Sequence, residues 1–116
     1  IAQFGRFLSL SCYTPTAGAG TYDLQEIVTE LRASNPQRAA MFASVPRDPR
    51  VGTESESFYR YIVSGTRCAI FANLENDGES VTLESITEPT AGGGTGVFQS
   101  PADGWNGSNK YFQYSN

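Results

Sequence analysis

The chain has 116 residues, 39% of them hydrophobic, with a formal net charge of −4 and a pI near 4.6, enough for one domain around one modest core. Its seven Arg and single Lys are scattered from Arg6 to Lys110, which excludes a phosphate-binding cation cluster and a polybasic membrane patch, so no direct nucleic-acid partner is expected. Histidine is absent, which excludes Ser-His-Asp and Cys-His nucleophile systems and removes the commonest zinc ligand.

The chain begins with Ile1 rather than Met, and is expected to be a processed or trimmed product. Residues 1–10 (IAQFGRFLSL) place apolar side chains at 1, 4, 7, 8 and 10, the pattern of the end of an amphipathic helix. Residues 12–21, with Pro15, Gly18 and Gly20, read as a loop. Residues 23–34 give the clearest helix. Asp23 is the N-cap and Glu26 completes a capping-box pattern, while Leu24, Ile27, Val28 and Leu31 form one apolar stripe. Asn35-Pro36 ends it and opens a second short helix through Met41 and Phe42. A helical connecting segment is thus expected over 23–44.

Pro46-Arg47-Asp48-Pro49 is a rigid turn, because each Pro drives its predecessor to extended geometry. Two strand-like runs follow, 58–63 and 68–74, separated by Ser64 to Arg67 with Gly65 as the turn residue. Asn76-Asp77-Gly78 is a tight turn. Residues 80–86 (SVTLESI) read as a third strand with Val81 and Leu83 inward. Residues 88–104 are loop, softest at Gly92-Gly93-Gly94, and KYFQY at 110–114 is the last strand. Helices first and strands afterwards predict an α+β domain. Its N-terminal helical segments would pack on a small antiparallel sheet of three or four strands, with the sheet and C-terminal loop over 57–116.

Cys12 and Cys68 are the only cysteines and lie in no CxxC pair. The even count and a composition rich in Tyr, Gly, Ser, Thr and Asn favour a Cys12–Cys68 disulfide, with two buried thiols as the alternative. Glu54 with Glu56, or Glu84 with Glu88, has the residue types of a glycosidase pair. Solvated surface charge is the better account of both, and no enzymatic activity is expected. No cofactor is expected either. Glu75-Asn76-Asp77-Gly78-Glu79 is the one cluster with hard oxygen ligands for calcium, an ordinary acidic hairpin turn being the plainer reading. Asn106-Gly107-Ser108 matches the glycosylation pattern and is equally a turn dipeptide. Trp105, Tyr111 and Tyr114 could form a flat aromatic surface for sugars, or be core or subunit-interface residues.

In sequence order, the PRDP turn, YRYIVSGTRCAIFANLEN and the Gly- and Asn-rich tail ending in NGSNKYFQYSN resemble the globular head of type IV pilins and type II secretion pseudopilins. IAQFGRFLSL would be the tail of that family's long N-terminal helix. The resemblance implies a single pilin-like domain over 1–116. It implies a structural subunit of an extracellular pilus or pseudopilus, inserted in the inner membrane before assembly through a hydrophobic helix. Partners would be other subunits and the assembly machinery, and membrane contact would come only through that helix. The family's cleaved leader and hydrophobic helix have no counterpart in these residues, so no assembly residue is carried over. That helix is expected to have been trimmed, or the head to be produced as a separate chain. The competing reading is an extracellular carbohydrate- or protein-binding module using Trp105 and its neighbouring tyrosines.

Overall fold

The computed structural model describes residues 12–34, 48–53 and 56–116. Five strands form one antiparallel sheet in the order β1-β2-β3-β5-β4: β1 (Gly20–Asp23), β2 (Arg60–Ser64), β3 (Arg67–Asn73), β4 (Gly96–Gln99) and β5 (Lys110–Ser115). The one helix among the described residues is α1 (Leu24–Ser34). This corrects the expected fold class: the domain is mostly sheet with a single short helix, not helical segments packed on a smaller sheet. The expected helices at 1–10 and 36–42, and the remainder of the connecting segment to residue 44, lie outside the described residues.

Two strands went unread in the sequence. GTYD is too short to show alternation, and its last residue doubles as the helix cap; it nevertheless pairs with β2 from Gly20↔Val63 to Asp23↔Arg60. GVFQ is hidden in a Gly-rich stretch and pairs with β5 from Gly96↔Gln113 to Gln99↔Lys110. The expected strand at 80–86 is irregular backbone. Its Thr82 and Leu83 amides both donate to the Val97 carbonyl at 2.9 Å, and the Val97 amide donates to Thr82 Oγ1 at 2.9 Å. The segment therefore covers the outer edge of β4 without extending the ladder, one way of blunting an edge strand.

The β2–β3 hairpin closes between Ser64 and Arg67, with Gly65 at φ +59°, as the primed two-residue turns require. Strand pairing puts Tyr22, Tyr61, Val63, Cys68, Ile70 and Tyr114 on one face. There the stripe of Leu24, Ile27, Val28 and Leu31 packs on Tyr61, Val63 and Ile70, all of them buried. Burial of this kind stabilises by about 2 kcal/mol per side chain. β3 is central and buried on both sides, which explains its unbroken apolar run CAIFA. The opposite face carries Arg60, Phe71, Asn73, Tyr111, Gln113 and Phe98 and is roofed by loops. Gln113, 0% exposed, holds that roof: its Nε2 donates to the carbonyls of Thr90 (2.9 Å) and Gly94 (2.7 Å), and its Oε1 accepts from the Thr90 amide at 3.0 Å.

Candidate functional site

Cys12 and Cys68 are joined by a disulfide with Cα atoms 5.8 Å apart, linking residue 12 to the middle strand. The segment after Cys12 is held at further points. Tyr61 Oη donates to the Tyr13 carbonyl at 2.6 Å. The Thr16 amide and hydroxyl both donate to Glu30 Oε1 at 2.7 and 2.6 Å, and these bonds hold the Glu30 carboxyl below its usual range. The Asn116 side chain closes over the same bond: its Oδ1 accepts from the Cys68 amide at 2.9 Å, and its Nδ2 donates to Cys12 Sγ at 3.3 Å.

Two buried carboxylates organise the loops. Asp23, 4% exposed, caps α1 through the Gln25 amide (2.8 Å). It also accepts from the amide and hydroxyl of Ser57 (2.9 and 3.0 Å), from the Phe58 amide (2.8 Å) and from Arg60 Nη1 (3.2 Å). The capping role was legible in the sequence; the tie to residues 57–60 was not. Asp48 accepts from the Arg50 and Val51 amides at 2.8 and 3.2 Å, from Asn106 Nδ2 at 2.7 Å and from Trp105 Nε1 at 3.3 Å. Burial alone would raise its pKa, but these donors outweigh burial and hold the carboxyl below its usual range.

Asn106, 3% exposed, is the centre of this knot. Its Nδ2 donates to Asp48 and to the Asn73 carbonyl (3.0 Å), and its backbone amide donates to Asn73 Oδ1. Both partners of Nδ2 are acceptors, which fixes the orientation of the amide and leaves its Oδ1 buried without a donor. A buried nitrogen engaged in two hydrogen bonds is a poor glycosylation acceptor, so the Asn106-Gly107-Ser108 pattern acts here as a structural turn.

The structure divides the three aromatic residues singled out in the sequence. Trp105 and Tyr111 meet with centroids 5.7 Å apart and planes at 79°. Tyr114 lies on the opposite face of β5, paired with Ile70 and packed against the core under α1. Residues 111 and 114 differ by an odd number of strand positions, so the alternation of a strand separates them. Phe58 takes the third place instead, 6.1 Å from Trp105, with Arg60 at 5.0 Å from the Phe58 centroid and 5.6 Å from Trp105. Phe58 sits at φ +62°, a left-handed conformation that disfavours bulky residues. Tyr111 stacks on Phe98 at 5.4 Å and 9°, and burial followed by the Asp103 charge raises its pKa. With Trp105 and Tyr111 edge to face, this cluster is a packed corner rather than a flat surface for sugars.

A pocket of about 380 Å³ opens beside this knot. Pro49, Tyr59, Ala72 and Leu74 give it an apolar lining, while Asp48, Asn73, Asn106, Glu75, Asn76 and Glu79 supply the polar groups. Burial and the Asp48 charge raise the Tyr59 pKa. Within the Glu75–Glu79 cluster, Asn76 Oδ1 accepts from the Gly78 amide (2.8 Å) and Asp77 Oδ1 from the Asn109 amide (3.1 Å). Among the described residues no group of three or more acidic or thiol side chains gathers as a metal site. Of the carboxylate pairs, Glu54 lies outside the described residues and Glu56 pairs with Arg60 at 3.2 Å. Glu84 and Glu88 are exposed. Comparison with family models, curated proteins and solved structures finds no match.

Proposed function

We propose that this chain is the head of an extracellular filament subunit of the type IV pilin and pseudopilin kind, built to transmit load rather than to perform chemistry. One observation carries the reading. The disulfide enters the sheet at β3, the strand with two neighbours on either side. Tension arriving along the chain ahead of Cys12 would therefore reach the best-supported strand instead of peeling an edge. The order of the PRDP turn, the CAIFANLE strand and the NGSNKYFQYSN tail supports the same reading. In it, a hydrophobic helix forms the filament core and inserts in the inner membrane before assembly, and this head faces outward. Its partners are other subunits and the assembly machinery, and its role is adhesion, motility, uptake or secretion.

The test is fractionation of the native host with antibody against the head. Polymeric material recovered by shearing from the cell surface is expected. Recovery only as a soluble monomer in the medium overturns the reading.

A further inference from the structure

The two ends of β3 differ in charge. At its start Arg67 is exposed at the tip of the β2–β3 hairpin, its stem resting against Gly92. Three other cations are engaged within the chain: Arg50 donates to the Asn106 carbonyl, Arg60 pairs with Asp23 and Glu56, and Lys110 donates to the Asp77 carbonyl. The Arg67 guanidinium makes no hydrogen bond or ion pair among the described residues. At the far end of the same strand lies the pocket whose walls include Asp48, Glu75 and Glu79. Glu75 and Glu79 are exposed and have no ion-pair partner among the described residues. Arg67 and Asn73, the latter in the pocket wall, are the first and last residues of β3, about 20 Å apart at the usual rise per residue.

From this juxtaposition we infer that the pocket receives the Arg67 hairpin tip of a second copy of this chain, in a head-to-tail contact along β3. The inference rests on the filament reading and names the surface by which heads meet. An arginine suits the pocket because its aliphatic stem can lie on Pro49, Tyr59, Ala72 and Leu74 while its planar fork of donors faces carboxylates. A contact that uses two different patches is heterologous: unless it closes a ring it propagates, as a filament requires.

The test uses the purified chain in sedimentation velocity up to about 1 mM, the range of contacts that a polymer reinforces through effective concentration. Wild-type protein is expected to self-associate, more tightly at low salt. Arg67→Glu alone, and Glu75→Arg with Glu79→Arg alone, should each weaken association by about tenfold or more. Mixing the two preparations restores both charge pairings, so association should return. A monomeric wild type, association indifferent to salt, or variants that associate as the wild type does would each overturn the contact. Failure here leaves the filament reading standing if sheared surface polymer is recovered from the host; loss of that polymer with the contact intact sinks the filament reading alone.

Discussion

At the scale of single residues, the two buried aspartates are the points of greatest leverage. Asp23 brings together the start of α1, the end of β1 and the approach to β2 with five donors. Removing the carboxylate leaves buried amides and the Arg60 guanidinium without their acceptor. Asp23→Ala should destabilise by about 3 kcal/mol or more, the range for breaking one side of a buried ionic hydrogen-bond network, and a shifted denaturant midpoint would register it. A change under about 1 kcal/mol, the worth of a helix cap alone, would mean that residues 57–60 are positioned by something else. Asp48 makes a pH-dependent contribution. Folding lowers its pKa from 3.8, so the native state binds this proton less readily than the unfolded chain. Its contribution is complete above that value and is lost as pH falls through the lower folded value. Melts below about pH 4 should therefore show a loss of stability that Asp48→Asn partly abolishes. Equal acid sensitivity in the two proteins would assign the loss to other groups.

At the scale of elements, what was legible depended on whether local pattern and tertiary pairing agreed. The stripe Leu24, Ile27, Val28 and Leu31 behind an Asp cap specified α1, and it buries the face expected. Runs around Tyr61, Cys68 and Phe112 became β2, β3 and β5, each within two residues of its expected bounds. SVTLESI alternates well enough to read as a strand, yet Thr82 and Leu83 share a single acceptor, the Val97 carbonyl, so the segment cannot continue a ladder. β4 needs Gly96 at its start, since a Cβ there would lie 2.6 Å from Thr82 Oγ1; the residue that reads as a breaker is what lets the strand sit there. The candidate site suffered in the same way. Asp48 looked like a turn residue, and its bonds to Trp105 and Asn106 span more than fifty positions, a distance at which no local signal operates. Gln113 illustrates the reverse, a polar residue at a core position whose purpose lies in another loop. Gln113→Leu should keep the volume and strip three hydrogen bonds from residues 90–94. It is expected to cost about 2 kcal/mol and to raise amide exchange at Thr90. Unchanged exchange there would show that the roof is held without Gln113.

For the whole molecule, the sulfur bridge sets how the layers behave together. It closes a separation of 56 residues that includes β1, α1 and β2, so cutting it returns about 4 kcal/mol of loop entropy to the unfolded chain in the chain-entropy treatment. In a domain of this size, where total stability is about 5–15 kcal/mol, that is a large share. Reduction should accordingly lower Tm by well over a few degrees. The structure also specifies where the loosening begins. Once the bridge opens, residues 12–18 keep the bonds from Tyr61 to the Tyr13 carbonyl and from Thr16 to Glu30. The Glu30 carboxylate is exposed, so water competes for that second tie. The β2–β3 and β3–β5 ladders pair strand to strand and do not run through the bridge. Hydrogen exchange after reduction should therefore speed up first at residues 12–18 and last at Ala69 to Phe71, with β1 between them because Gly20–Asp23 is short and lies at the sheet edge. If the central strand loses protection together with residues 12–18, the bridge is holding the sheet itself together rather than delivering load to a sheet already stable. The mechanical role proposed for it would then have to be abandoned.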